Sequence, residues 1–201
     1  MPSPKFSAMI IQILTLNKNN ITDFARERNV LLKKAKADWV LFLDTDEIIS
    51  PAFRQEINQL ASNSVKLING YYVKRKNYFL GQFIGTDKIL RLGRKDSGKW
   101  VRRVHEVWKI GKVHTGGVLD NYITHSTAEN LAGYINKVNY YSDLHALANK
   151  EEGKKSNLFK IIFFPIGKFA VTLFKSRNIV FGIMQAFHSF LSWSKLYFSH
   201  S

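Results

Sequence analysis

Residues 39–43, WVLFL, are apolar at every position. A strand with one wet face alternates, so this unbroken run predicts a strand covered on both faces, as central parallel strands are. Upstream, MIIQILTL (9–16) reads as a second short strand closed by the polar turn NKNN. Between them, Phe24, Leu31, Leu32 and Ala35 share one helical face, with Thr22 or Asp23 placed to cap the helix. After the apolar strand, Ser50 caps and Pro51 opens a helix on which Phe53, Ile57 and Leu60 repeat. This order predicts an α/β sheet. It also puts Asp44, Asp46 and Glu47 at the carboxyl edge of a strand, where open α/β sheets bind ligands.

From Gly70 the pattern shortens. GYYVKRKNYF, DKILRLGR, EVWKIGKV and GGVLDNYITH read as strands in a mixed, more antiparallel half, with KDSGK as a turn. A long helix follows, expected to open on a Ser126-x-x-Glu129 capping box and to carry Leu131, Ile135, Val138 and Tyr141 along one side. The charged break KEEGKKSN marks the expected boundary between a domain at 1–150 and a helical tail at 151–201. In that tail Pro165 is expected to break the first helix, and Lys168, His188 and Lys195 interrupt the apolar runs. Neither run reaches the roughly 20 apolar residues of a spanning helix. Two readings stay open: interfacial helices with Lys160, Lys168, Lys175, Arg177 and Lys195 facing anionic lipid, or a hairpin packed on the domain's own core.

Composition narrows the partners. A chain of 201 residues suits one domain plus a tail. Its 30 Lys and Arg against 15 Asp and Glu leave a net charge of +15, which points to phosphate-bearing partners or an anionic membrane. The absence of cysteine excludes disulfides and thiolate metal sites, leaves carboxylate, imidazole and water as metal ligands, and suits a reducing compartment. The apolar run 9–16 is too short to span and lacks a small-residue cleavage pattern behind it, so no signal peptide is expected.

Asp44-x-Asp46 behind a buried strand supplies oxygen ligands spaced for one hard divalent ion, with coordination positions left for a substrate's phosphates. The plainer alternative is a loop whose Asp46 or Glu47 faces a helix N-terminus. Like charges held this close favour a cation between them.

DFARERNVLLKKAKADWVLFLDTDEIISPAFRQEI (23–57) resembles the central segment of family 2 glycosyltransferases of the GT-A fold, in the branch of lipopolysaccharide-core glucosyltransferases, whose pattern is F-x-x-x-R-N followed by DWVL-x-LDADE. FLGQFIG, ILRLGRK, GKWVRRVHE and ITH follow in that group's order, so the resemblance covers roughly residues 20 to 150. It implies an incomplete GT-A, Rossmann-like mixed sheet with flanking helices. It further implies an inverting transfer of sugar from a nucleotide-diphosphate donor to a glycan or lipid-linked acceptor in cell-envelope polysaccharide synthesis. Asp44 and Asp46 match the family's Asp-x-Asp, which binds Mg or Mn with the donor diphosphate, and His125 matches the histidine that completes the metal site. Glu106 resembles the family's base; without the resemblance it reads as a cross-strand partner of Arg102 or Arg103. Gly81 and Gly85 resemble the glycines of a loop that approaches the ligand closely, or form an ordinary turn. Trp100 offers a flat face to a sugar or belongs to the core. His105 serves structure or lines the acceptor site. Arg91 and Arg103, with Arg94 and Arg102, neutralise donor or acceptor phosphate or form a solvated basic surface. Location on the inner face of the plasma membrane follows from a lipid-linked acceptor.

One departure is marked. Family members begin with a further segment carrying a V-x-I-P-x-Y-N-like strand and an Asp that contacts the nucleoside; here about 20 residues precede the DFARERN helix. That predicts a truncated or split enzyme with half its donor pocket missing, weak nucleotide binding and no turnover unless another chain supplies that half, with too few neighbours for the strand 39–43. Two other classes share some of these features: a haloacid-dehalogenase-type phosphatase, disfavoured by Ile48 and by the lack of a downstream Asp-Asp pair, and a non-catalytic basic membrane-associated protein. Nucleic acid is not an expected partner, because the aromatics cluster in the apolar tail and not among the arginines.

Overall fold

A computed structural model of the chain describes residues 11–62, 68–111 and 115–199. The elements run β1 Ile11–Thr15, α1 Phe24–Lys34, β2 Trp39–Leu43, β3 Glu47–Ile49, α2 Pro51–Ser62, β4 Gly70–Phe79 and β5 Gln82–Arg94. They continue with β6 Gly98–Val101, β7 Val107–Ile110, β8 Thr115–Ser126, α3 Leu131–Glu151, α4 Leu158–Ser176 and α5 Ile179–Phe198. One sheet has the order β1-β2-β5-β4-β8-β3, and β6 pairs with β7 separately. The fold is mixed α/β, consistent with an incomplete Rossmann-like architecture. Of the first expected strand, Met9 and Ile10 lie outside the described residues.

The chain divides into two compact units: the described parts of 1–76 and 86–125 in one, 77–85 and the described part of 126–201 in the other. This differs from the expected boundary after residue 150. The reason is packing, because α5 lies along both α3 and α4. Lys195 of α5 donates to the Asn139 carbonyl, the Asn139 side chain and Ser142 of α3, and pairs with Asp143.

In the first unit β2 is the organising strand. It runs parallel to β1, with Ile13 opposite Leu41, and antiparallel to β5, with Leu41 opposite Leu92. The expected shortage of neighbours is therefore met from downstream. Trp39 and Leu41 pack with Phe53 and Ile57 of α2, while Val40 and Phe42 pack with Ala25 and Leu32 of α1. Successive strand residues face opposite ways, which explains why every position in the run is apolar.

In the second unit Phe79, Tyr134, Val138 and Met184 form the core. The helix expected to open at Ser126 opens later: β8 runs through Ser126, and Asn130 is the N-cap of α3, accepting from the Gly133 N–H. Leu131 and Ile135 consequently face solvent while Tyr134 and Val138 point inward. Pro165 does not break α4, which continues to Ser176. A proline removes one intrahelical hydrogen bond, here the one to the Ile161 carbonyl, and the flanking turns hold the helix.

Candidate active site

Beyond β2 the chain turns through Asp44, Thr45 and Asp46 into β3. Two backbone donors close the turn: the Asp44 N–H bonds Oε2 of Glu47 at 3.0 Å, and the Glu47 N–H bonds the Asp44 carbonyl at 3.1 Å. Arg28 lies on the inward face of α1 with Ala25 and Leu32, and is only 2% exposed. Its Nη2 donates to Oδ1 of Asp44 and its Nε to Oε1 of Glu106 at 2.7 Å. Arg91 of β5 donates from Nη2 to the other Asp44 oxygen at 2.6 Å. Arg28 also lies over the rings of Phe42 and Trp100, 5.6 and 4.8 Å from their centroids.

Charge dominates this cluster. Burial alone raises the pKa of Asp44, but Arg91 and Arg28 outweigh it and hold the carboxyl below the ordinary carboxylate value. Burial lowers that of Arg28, and Asp44 with Glu106 more than restores it. Alongside, the fully buried Glu47 carboxylate accepts from Nη1 of Arg75 at 3.0 Å. Arg75 also grips Asp87 with two bonds, of 3.0 and 2.7 Å. Burial would lower the pKa of Arg75; its bonds to Asp87 and Glu47 raise it instead.

β3 runs antiparallel to β8 with Glu47 opposite His125. His125 Nε2 lies 3.5 Å from Oδ2 of Asp46. The two aspartates of the Asp-x-Asp motif thus have different partners: arginines for Asp44, an imidazole for Asp46. Among the described residues no group of three His, Asp or Glu side chains is gathered to hold a metal. The expected ligand set of Asp44, Asp46 and His125 is therefore not assembled as a resident site.

The segment 102–106 between β6 and β7 carries Glu106. Arg102 and His105 both adopt positive φ, 76° and 52°. Such backbone in non-glycine residues costs energy and persists where the surroundings impose it. The restraints are visible: Val104 is buried, the Arg103 carbonyl accepts from the Phe24 N–H at 2.9 Å, and Arg103 Nη1 donates to the Thr22 carbonyl at 3.1 Å. Asn29 of α1 clamps the backbone of Trp100 from both sides, accepting from its N–H and donating to its carbonyl, each at 2.9 Å. Next to the loop is an open hollow of about 550 Å³, lined by Arg26, Asn29, Lys33, Arg102 and Arg103 among others.

The remaining expected residues take other places. Trp100 is core: it is 4% exposed, stacked on Trp108 at 5.5 Å and met edge-on by Phe42 at 5.0 Å, so it presents no open face to a sugar. His105 is exposed. Gly81 and Gly85 belong to the second unit. Gly81 follows Leu80 in the β4–β5 turn, both with positive φ as a tight two-residue hairpin requires, and a Cβ at either glycine would meet open space. Arg28, Arg75 and Asp87 have no role in the sequence reading, and Glu47 pairs with Arg75 where the plainer alternative put it or Asp46 against a helix N-terminus. Arg28 was within reach, since it is the arginine of the F-x-x-x-R-N helix and recurs with Ala25 and Leu32 on the buried face.

No protein-family model matches the chain. It is 26% identical over 196 residues to the lipopolysaccharide core biosynthesis glycosyltransferase LpsC of Rhizobium meliloti, covering 89% of this chain and 70% of LpsC. It is 27% identical to the uncharacterized glycosyltransferase RT0209 of Rickettsia typhi and 26% identical to the uncharacterized glycosyltransferase RP128 of Rickettsia prowazekii, in each case over 79% of this chain. The chain spans 62% of the length of each Rickettsia protein. The chain is thus similar to proteins named as glycosyltransferases.

Proposed function

We propose that the chain is the catalytic part of an inverting family 2 glycosyltransferase. It moves a sugar from a nucleotide-diphosphate donor to a glycan or lipid-linked acceptor in cell-envelope polysaccharide synthesis, on the inner face of the plasma membrane. One observation carries the reading: Arg28 joins Asp44, at the edge of β2, to Glu106 in the 102–106 loop. That places the acidic motif and the candidate base in one connected group.

In the proposed reaction the acceptor hydroxyl oxygen bonds to the anomeric carbon as the bond from that carbon to the diphosphate oxygen breaks. Glu106 takes the hydroxyl proton, and the nucleoside diphosphate leaves with the bond's electron pair. Arg28 aims Glu106, and Arg91 with Arg28 holds Asp44 in place. Asp46 and His125 would hold a Mg or Mn ion, which supplies neutralising charge to the diphosphate. Arg103 and its neighbours in the basic hollow suit an acceptor bearing phosphate.

A second reading, a non-catalytic basic membrane-associated protein, is favoured by the engagement of both Asp44 oxygens by arginine. UDP- and dTDP-sugar binding with and without Mn, in wild type and Asp46→Ala, separates the two. A Mn-dependent signal lost in the variant supports the transferase; no nucleotide binding under any condition supports the scaffold.

A further inference from the structure

We infer that the α4–α5 hairpin is a monotopic membrane dock that lies in the plane of an anionic bilayer and immerses its outer aromatic face. The inference deepens the membrane part of the reading above and rests on it.

The two helices pack on each other and α5 on α3, yet both leave large apolar side chains outside. On α5, Ile179, Ile183, Phe187, Phe190 and Tyr197 are all exposed. Their spacing of i, i+4, i+8, i+11 and i+18 makes one continuous stripe. On α4, Phe159, Ile162, Phe163, Ile166 and Phe174 do the same, and Phe174 is 87% exposed. Nine of the chain's fifteen phenylalanines fall between 159 and 198. An apolar surface of this extent on a folded unit calls for an occupant.

Charge identifies that occupant. No Asp or Glu occurs after Glu152. The exposed cations Lys168, Lys175 and Arg177 flank the stripes. Lys195 does not, since it is turned inward to α3, and Lys160 is turned to the Trp193 ring at 5.0 Å and to the Lys155 carbonyl. A second copy meeting this face symmetrically would set these cations against one another with no carboxylate on the hairpin to answer them. Lipid phosphates answer them, and headgroup-level aromatics with basic flanks are the signature of interfacial helices. Among the described residues no helix is long and apolar enough to cross a membrane, so the hairpin lies on the surface.

The native chain has no cysteine, so single cysteines can be placed at will. The full chain is mixed with vesicles of phosphatidylcholine, with and without phosphatidylglycerol, and sedimented. Binding is expected to anionic vesicles, weakened about tenfold or more by Phe174→Asp or Ile183→Asp and to a lesser degree by Lys168→Gln with Lys175→Gln. A spin label on Phe174→Cys is expected to become accessible to oxygen and shielded from a nickel chelate, while one on Lys168→Cys stays accessible to the chelate. The proposal is overturned if the chain stays in the supernatant, or if the label at 174 remains open to the chelate on vesicles. It is equally overturned if Phe174→Asp abolishes self-association and leaves vesicle binding unchanged. Vesicle binding needs no donor, so Glu106→Gln is expected to sediment like wild type, and failure of docking is distinguishable from failure of transfer.

Discussion

Nε of Arg28 donates a 2.7 Å hydrogen bond to Glu106, 78 positions away in sequence, while the same guanidinium holds Asp44. With the arginine removed, two carboxylates face each other in a half-buried space. Breaking such a pair costs about 3–5 kcal/mol, and partial exposure of both acids puts the expected loss for Arg28→Met near the lower end, about 3 kcal/mol. Arg28→Lys keeps the charge but not the fork, so about half that loss is expected. Urea unfolding measures both; a loss under about 1 kcal/mol for Arg28→Met would show that the bridge does not hold the unit together.

The same cluster sets an acid limit. Asp44 is held below its ordinary value of 3.8 by Arg91 and Arg28 against the opposing effect of burial. A depressed carboxyl contributes stability that is fully present above its unfolded value and is lost as pH falls through its folded value. Stability should therefore be flat in this contribution near neutrality and decline below 3.8. Asp44→Asn should lower stability at pH 7 and flatten the acid limb; parallel acid limbs in urea titrations of the two proteins would contradict this.

Glu106→Gln separates chemistry from architecture. The amide oxygen still accepts from Arg28, so the fold is expected to survive with a loss of about 1–2 kcal/mol. Without a base, transfer should fall about 10²–10⁴-fold, with donor affinity unchanged by titration calorimetry. Full transfer by this variant would remove Glu106 from the reaction.

The first half of the fold was legible because its signals are local. The run 39–43, the helical repeat from Phe24 and the Ser50-Pro51 start each declare an element within a dozen residues. β3 was not legible, since three residues beginning with a buried glutamate look like loop until β8 pairs with them. The capping box at Ser126 was a sound local pattern that lost to a tertiary fact, the extension of β8 through that residue. In the site, the acidic motif was visible and its partners were not. A buried arginine on an amphipathic helix looks like any surface arginine, and nothing in the spacing of Asp44, Arg91 and Glu106 shows that Asp44 and Glu106 share Arg28 while Arg91 takes the other Asp44 oxygen.

Glu47 offers a sharper stability test than Asp44. Its carboxylate is wholly buried, and Arg75 donates to it at 3.0 Å while holding Asp87. Arg91 approaches it only to 4.0 Å. Arg75→Met should therefore cost about 3–5 kcal/mol, and Arg75→Met with Glu47→Gln should recover part of it. Additive losses in the double-mutant cycle would mean that the pair is not coupled.

The division of labour between the two aspartates gives the last prediction. Asp44 is engaged by two arginines, whereas Asp46 lies 3.5 Å from His125. If an ion enters with the donor diphosphate, the second pair should hold it. His125→Ala and Asp46→Ala should then raise the Mn concentration that half-saturates donor binding by about tenfold or more, with little change in urea stability. Asp44→Asn should do the opposite, with a large stability loss and a small shift in Mn dependence. Electron spin resonance of Mn in the presence of donor, run beside urea titrations, reads both axes. The assignment fails if Asp44→Asn abolishes Mn binding while His125→Ala leaves it intact.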